Sequence, residues 1–139
     1  MTFYFPLLII ATTLRMAFAF DTTDSPLLAA EKWGSRSQME HPECLQSTGA
    51  TAEEVHDFFE LVGMSTRYEF KCYIDCLFKS FGFINEDGTI EGNALVQQVE
   101  IYTDEMVDFC REPYLAMEDQ CERAYELSHC LTHYKHSYF

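Results

Sequence analysis

Six cysteines carry the most chemistry in this sequence of 139 residues. They are separated by gaps of 27, 3, 33, 10 and 8 residues and stand at Cys44, Cys72, Cys76, Cys110, Cys121 and Cys130. In a small secreted chain, six cysteines indicate disulfides, whereas in a cytosolic chain they indicate metal or redox chemistry. The compartment of the protein therefore decides which chemistry these cysteines perform.

The N-terminal segment has the pattern of a signal peptide. Residues 3–11 are apolar, and small residues stand at the positions that precede a cleavage after Ala19. Arg15 interrupts the apolar segment, which is too short for the roughly 20 residues of a membrane span. The sequence therefore predicts a signal peptide over residues 1–19 and a secreted mature domain over 20–139, in which the cysteines form disulfides.

The charge of the chain excludes several classes of partner. The sequence has 23 acidic residues, nine basic ones and a formal net charge of −14. Binding to nucleic acid needs a basic face, and an anionic membrane surface would repel this chain. Because 47% of the residues are hydrophobic, the composition predicts a folded domain. Mutual repulsion is expected to keep the protein soluble at high concentration.

Residues with catalytic potential do not form a known catalytic pattern. His56 and Asp57 form the only His-Asp dipeptide, and it lacks the calcium loop and flanking cysteines of a secreted phospholipase. The sequence has no His-Glu-x-x-His, Gly-x-Ser-x-Gly or phosphate-binding loop. If all six cysteines form disulfides, none remains as a nucleophile. The sequence therefore predicts a protein that is not an enzyme.

Two segments resemble parts of metal sites, but neither is complete. The segment from Phe83 resembles half a calcium loop, but Phe83 and Ala94 occupy the positions where ligating carboxylates belong. His129 and His133 have the four-residue spacing of metal ligands on a helix, but no further ligand completes that site. We therefore expect neither a metal nor a cofactor.

The periodicity of apolar residues predicts an all-α fold of about six short helices. No segment alternates polar and apolar residues for long enough to indicate a strand. Capping residues, glycines and prolines set the expected limits. A capping box at Thr51 and Glu54 and a cap at Ser65 are expected to begin two of the helices. Gly63 and Pro113 are expected to end helices, and residues 85–88 to form a turn. The predicted helices run from residue 26 to just before 42, then over about 51–61, 65–81, 90–102, 103–113 and 117–134.

Each of the later helices has an apolar stripe that is expected to face inward. Such a stripe more often packs into a filled core than lines a cavity, so both interpretations stay open. Tyr73 and Tyr125 fit either the boundary of the core or a hydroxyl that meets a ligand. The inward residues are Phe70, Ile74, Leu77, Phe81, Leu95, Val99, Met106, Phe109, Ala124, Leu127 and Leu131.

Helix geometry limits how the cysteines can pair. Six cysteines allow 15 pairings. Cys72 and Cys76 lie side by side on one predicted helix and are expected to reach different partners. Cys121 and Cys130 point to opposite faces, roughly 13 Å apart along the helix axis, whereas a disulfide needs Cα atoms within about 7 Å. Ten pairings remain, and spacing alone does not choose among them.

The cysteine pattern and its surroundings resemble those of insect odorant-binding proteins, the general odorant- and pheromone-binding family. The resemblance rests on the complete six-cysteine spacing behind a signal peptide. It also includes the segment Lys71-Cys72-Tyr73-x-x-Cys76, which leads to Gly82, and the run 121–125 before Cys130. It covers about residues 26–134.

This resemblance implies a disulfide pairing and a mechanism. The implied pairs are Cys44–Cys76, Cys72–Cys121 and Cys110–Cys130. They would tie the first predicted helix to the third, the third to the sixth and the fifth to the sixth. Such a stapled shell could enclose an apolar cavity that binds a small hydrophobic molecule reversibly. The inward stripes and Tyr73 would then line that cavity.

The C-terminal segment offers a further hypothesis. In related carriers the tail can close the cavity, and Tyr134, Tyr138 and Phe139 are apolar enough to fold back. Because histidine titrates near pH 6.5, acid could release the tail and the ligand through His129, His133 and His136. A frayed terminus is the simpler interpretation.

Two functions of different classes fit the sequence. The first is a secreted carrier of odorant or pheromone type, a monomer or weak homodimer that delivers its small hydrophobic ligand to a membrane chemoreceptor. The alternative is a secreted signalling, seminal or haemolymph interaction protein that has the same scaffold and a filled core. A filled core predicts no cavity above roughly 300 Å³.

Overall fold

The computed structural model describes residues 26–134. Within this range the chain forms seven helices: α1 (Pro26–Glu40), α2 (Pro42–Thr48), α3 (Ala52–Leu61), α4 (Tyr68–Ser80), α5 (Gly92–Gln98), α6 (Asp104–Leu115) and α7 (Gln120–His133). The all-α class is confirmed. The signal peptide predicted over residues 1–19, and His136 with the end of the tail, lie outside the described residues.

The first predicted helix is followed by a second, short one that the sequence analysis missed. α1 ends at Glu40, and Pro42 stands in the first turn of α2. Proline fits the start of a helix because its missing N–H has no intrahelical partner there. Gly49 ends α2 in the left-handed conformation with φ of 79°. Pro42 therefore both stops one helix and begins the next.

α3 begins at the predicted capping box. The Thr51 hydroxyl accepts a hydrogen bond from the Glu54 backbone N–H at 3.1 Å, and the Glu54 carboxylate accepts one from the Thr51 N–H at 2.8 Å. α3 ends at Leu61, as predicted, but Val62 and not Gly63 adopts the left-handed conformation at its end, with φ of 55°. The Gly63 N–H then bonds to the Asp57 carbonyl.

α4 begins at Tyr68, three residues after the predicted cap at Ser65. The Ser65 hydroxyl does not cap α4 but donates a hydrogen bond to Glu54 at 2.6 Å. The Arg67 guanidinium lies 2.9 Å from the same carboxylate. Burial opposes ionisation of Glu54, but the hydrogen bonds from Ser65 and Thr51 and the charge of Arg67 hold its pKa below the usual value.

α5 is shorter than the predicted helix over residues 90–102. It begins at Gly92, two residues after the predicted start. The reason is that Ile90 pairs with Ile84 in an isolated antiparallel bridge on either side of the predicted turn. It ends at Gln98 because Val99 takes an extended conformation. The chain from Val99 to Tyr102 is therefore a connecting segment, and this segment reaches the interior of the fold.

Pro113 does not end α6, contrary to the prediction. The helix continues to Leu115, and Pro113 lies in its last turn, so the hydrogen bond that its missing N–H would make is lost only two residues before the helix ends. Tyr114 follows and is buried, and its hydroxyl donates a hydrogen bond to the Gly88 carbonyl. This bond joins the last turn of α6 to the turn before α5. α7 begins at Gln120, after the cap Asp119, and not at 117.

The three disulfides are those that the family resemblance implied. Cys44–Cys76 joins α2 to α4, Cys72–Cys121 joins α4 to α7, and Cys110–Cys130 joins α6 to α7. Their Cα atoms are 5.6, 4.5 and 5.6 Å apart. One expectation was wrong: the first helix is not tied to α4, because Cys44 belongs to α2. No disulfide reaches α1.

The core lies between α4 and the helices around it. Phe70, Ile74 and Leu77 of the predicted stripe are at most 3% exposed, and Phe81 is partly buried. α1 and α3 pack closely, since a Cβ atom on Gly34 would lie only 2.6 Å from the Phe59 Cβ. Among the helices of residues 26–134, none is both long and apolar enough to cross a bilayer.

Candidate ligand-binding cavity

An apolar cavity lies between α1, α3, α4, α7 and the segment that follows α5. Its volume is about 80 Å³. Most of the lining side chains are aliphatic or aromatic, and none is an acid, a base or a histidine. The lining consists of Ala29, Ala30, Trp33, Ser37, Phe58, Phe59, Val62, Ile74, Leu77, Phe78, Phe81, Phe83, Val99, Ile101, Tyr102, Ser128 and Thr132.

Three aromatic rings in mutual contact form one wall. Phe81 meets the Trp33 ring edge-on at 4.9 Å between centroids and stacks on Phe83 at 5.8 Å. The Trp33 and Phe83 rings are 5.6 Å apart. Such contacts stabilise an aromatic cluster by about 0.5–1.5 kcal/mol per pair beyond the burial of its area. The wall therefore has a defined shape, although Trp33 and Phe81 are only half-buried.

Arg36 covers the outer side of this wall. Its guanidinium carbon lies 4.6 Å from the centroid of Trp33 and 4.8 Å from that of Phe81. One nitrogen lies 3.5 Å from the Gln98 amide oxygen, and the Gln98 nitrogen donates to the Phe81 carbonyl. Arg36 therefore joins α1 to the end of α5 through cation–π and polar contacts.

The polar atoms of the cavity are hydroxyls. Ser37 of α1 and Ser128 of α7 are each 1% exposed, and Thr132 of α7 is 8% exposed. Ser128 and Thr132 are four residues apart and lie on one face of their helix. Tyr102, half-buried, adds a phenol from the connecting segment. The cavity thus combines an apolar body with a few neutral polar groups, the composition typical of small-molecule sites.

Comparison with known proteins identifies the family. The model of the PBP/GOBP family, the insect odorant- and pheromone-binding proteins, matches residues 34–134. The chain belongs to this family. No curated protein and no solved structure matches the chain. The family match, the three disulfides and the helical shell agree with the six-cysteine type that the sequence analysis recognised.

Four of the predicted ligand-binding residues line the cavity of this PBP/GOBP protein. They are Ile74, Leu77, Phe81 and Val99. Seven others are buried in the core and do not line it: Phe70, Tyr73, Leu95, Met106, Ala124, Leu127 and Leu131. Burial raises the pKa of Tyr73 to about 12, so its phenol stays neutral in this apolar surrounding. A contact between these seven residues and a ligand stays a prediction.

Phe109 was predicted to face inward, and this was wrong. Its side chain is 63% exposed and packs on the Tyr134 ring at 5.2 Å. The buried face of α6 is formed by Met106, Val107, Cys110 and Tyr114. At about 100° per residue, Phe109 lies more than a quarter turn away from the centre of that face. Alignment with Met106 alone was too weak a guide to the buried side.

Apolar periodicity did not predict the lining residues of α1 and α3. On α1, Ala29, Trp33 and Ser37 recur every four residues and form one face. Alanine and serine in this stripe leave space where larger side chains would fill it. The pattern was present in the sequence, but its small residues give a weak signal of burial. The hydroxyls of α7 were missed because Ser128 and Thr132 interrupt an otherwise apolar helix face.

The histidines proposed as an acid switch lie on the surface of α7. His129 and His133 are exposed, their ring centroids are 4.4 Å apart, and His133 Nδ1 lies 2.8 Å from the His129 carbonyl oxygen. Beyond them, the Tyr134 hydroxyl donates to Glu105 of α6 at 2.8 Å. Neither histidine lines the cavity. Closure of the cavity by the tail and its release by acid stay predictions.

Proposed function

We propose that this protein is a secreted carrier that binds small hydrophobic molecules of odorant or pheromone type reversibly in the cavity between α1, α3, α4 and α7. The observation that supports this proposal is an apolar cavity without charged side chains in a chain of a binding-protein family. A ligand that enters loses contact with water, which stabilises the complex by about 25 cal/mol for each Å² of apolar surface buried.

The size of the cavity limits the ligand. A volume of about 80 Å³ is smaller than the roughly 150 Å³ cavity that suffices for benzene in a well-studied engineered protein. The smallest volatile molecules therefore fit without rearrangement, and larger ligands require the walls to separate. The wall best suited to move is the one that α1 forms around Trp33, since Trp33 is half-buried and α1 carries no cysteine.

Titration with an apolar fluorescent probe tests this function. Trp33 is the only tryptophan of the sequence and lies in the cavity wall, so its emission reports on occupancy. We expect micromolar binding of the probe, a change in Trp33 emission, and displacement by a volatile. The variant Ala30→Leu, which fills part of the cavity, should weaken probe binding about tenfold. Ala52→Leu, at an exposed position of α3, is the matched control.

The small volume also favours the second candidate function, an interaction protein with a filled core. The cavity volume of about 80 Å³ lies below the roughly 300 Å³ expected of an ordinary ligand pocket. This candidate predicts neither probe displacement nor a difference between Ala30→Leu and the control. Absence of displacement by alcohols, aldehydes, esters and fatty acids would contradict the carrier function.

Secretion is part of the same proposal. It is supported by the N-terminal pattern over residues 1–19 and by three disulfides, which persist in oxidising compartments. Expression of the full chain in insect cells should release a protein that begins at residue 20, as N-terminal sequencing of the medium would determine. Retention of the full chain inside the cells would contradict it.

A further inference from the structure

The contact between the rings of Trp33 and Phe81 is a seam between two elements of the cavity wall. Trp33 belongs to α1 and Phe81 follows α4, and both half-buried rings line the cavity. Separation of the two rings would connect the cavity to solvent. We propose that ligands enter and leave through this seam, and that Arg36 is a strap that holds it closed and sets the rate of exchange. The inference rests on the carrier function proposed above, because it assigns the regulation of the same cavity.

Arg36 spans the seam on its outer side. Its guanidinium carbon lies 4.6 Å from the Trp33 centroid and 4.8 Å from the Phe81 centroid, so one cation contacts both rings. A cation–π contact is attractive only while the ring centroid stays within about 6 Å of the cation. One guanidinium nitrogen also lies 3.5 Å from the Gln98 amide oxygen, and Gln98 donates to the Phe81 carbonyl. Opening of the seam therefore breaks the contacts on at least one side of Arg36.

The α1 side of the seam is the side that is expected to move. The Phe81 ring is in contact with Phe83 at 5.8 Å and with His41 at 4.6 Å, and two disulfides tie α4 to its neighbours. α1 carries no cysteine. On its other side α1 packs tightly on α3, since a Cβ atom on Gly34 would lie 2.6 Å from the Phe59 Cβ. We therefore expect α1 and α3 to shift together, which opens the seam to Phe81.

A carboxylate of α1 itself directs Arg36 to the seam. The Arg36 Nε donates to Glu40 at 2.7 Å, and both side chains are partly exposed. Because Glu40 lies one turn later on the same helix, this ion pair stays intact when α1 moves. The contacts with Phe81 and Gln98 do not, because these residues lie on other elements. Rotation of an exposed side chain takes only picoseconds to nanoseconds. The population of the open state, and not the speed of the strap, therefore sets the exchange rate.

Arg36 closes the seam without contact to the ligand, since it is not among the residues that line the cavity. The strap therefore stabilises the closed state of the empty protein and of the loaded protein alike. An interaction that is equally strong in both states does not shift the binding equilibrium. Loss of the strap should consequently speed entry and exit by the same factor and leave the Kd unchanged.

Stopped-flow kinetics with the apolar probe N-phenyl-1-naphthylamine test the strap. Mixing gives the association rate constant, and dilution of the complex gives the dissociation rate constant. We expect Arg36→Ala to raise both about fivefold, the equivalent of one cation–π contact at an exposed site, and to leave the Kd unchanged. Arg36→Lys keeps the charge but loses the planar stacking, so its rate constants should fall in between. Arg111→Ala, which removes a partly exposed arginine of α6 beside Asp108, is the matched control.

The two rate constants together distinguish a strap from a ligand contact. A weaker Kd that arises from faster dissociation alone would overturn the inference, because Arg36 would then act on the bound ligand. Rate constants in Arg36→Ala equal to those of the control would also overturn it and leave the carrier function intact. If Arg36→Ala does not fold, Gln98→Ala, which removes the α5 end of the strap, decides by the same comparison. Absence of probe binding to the wild type would contradict the carrier function and the strap together.

Discussion

Two parts of this molecule are held together differently. The cross-linked part consists of the helices that carry cysteines. The packed part consists of α1 and α3, the two cysteine-free helices that line the cavity. Between α4 and α7, the Cys72–Cys121 disulfide is flanked by two cross-helix contacts. Lys71 lies 2.8 Å from the Glu122 carboxylate, and Lys79 donates to Gln120 at 2.6 Å. Covalent and charged links thus act together on one interface.

α1 and α3 are held in a different way. The two helices pack closely where Gly34 meets Phe59, and no covalent bond joins them there. α1 reaches the α5 region through the Arg36–Gln98 contact at 3.5 Å and through Lys32, which lies 3.9 Å from Glu100 at the protein surface. Exposed pairs of this kind contribute about 0–1 kcal/mol.

This difference separates two requirements of a carrier. The cavity lies between the two parts. The cross-linked helix α7 contributes the hydroxyls of Ser128 and Thr132, and α1 and α3 contribute small and aromatic residues together with the Ser37 hydroxyl. A wall that no disulfide crosslinks can shift when a ligand larger than the cavity enters. A wall held by disulfides keeps its polar groups in place. We therefore expect binding to displace α1 and α3 more than α4 and α7.

Removal of the Cys72–Cys121 disulfide is expected to have the largest effect. The variant with Cys72→Ala and Cys121→Ala opens a crosslink between residues 49 positions apart, and loop-closure entropy assigns it about 4 kcal/mol of unfolding free energy. Urea unfolding followed by circular dichroism measures the loss. The matched removal of Cys110–Cys130, with a separation of 20, should cost about 3 kcal/mol. Equal stability of variant and wild type would show that the cross-linked part does not depend on its disulfides.

The packed part is tested at Gly34. Alanine at this buried helical position would favour the helix by about 1 kcal/mol. However, its Cβ would lie 2.6 Å from the Phe59 Cβ, and overpacking costs about 1–3 kcal/mol. We expect Gly34→Ala to lose up to about 2 kcal/mol and to weaken probe binding, since Phe59 lines the cavity. Ser35→Ala, exposed on the same helix, is the control. A higher unfolding free energy in both variants would mean that α1 moves away from α3 without a cost in free energy.

Local signals in the sequence predicted the elements whose cause is local. The capping box at Thr51 and Glu54 fixed the start of α3, and the stripe of Phe70, Ile74 and Leu77 identified the buried face of α4. The disulfide pairing could not be derived from spacing, which left ten choices, and came from the family resemblance. Composition and resemblance together therefore led to the fold class and the crosslinks.

The cavity could not be predicted from periodicity, because it depends on which faces of different helices meet. Leu127 and Leu131 follow the helical period as well as Ile74 does, yet they fill the core and do not line the cavity. The free space is bordered both by small residues of α1, such as Ala29, and by the hydroxyl-bearing residues Ser128 and Thr132 of α7. A sequence pattern shows which residues are buried, and only tertiary packing determines which of them border free space.

Glu54 provides the smallest and most specific test, because it supports α3 in the packed part through a titrating group. Its pKa in the folded protein is lowered, so its contribution is complete above the pKa of about 4.3 in the unfolded chain and is lost as the pH falls through the folded value. At pH 7 we expect Glu54→Gln to reduce the unfolding free energy by about 1 kcal/mol. Urea unfolding at a series of pH values should show this difference disappear in acid. Glu53→Gln, exposed one residue earlier, is the control. A difference that persists at pH 2 would assign the effect to side-chain shape and not to charge.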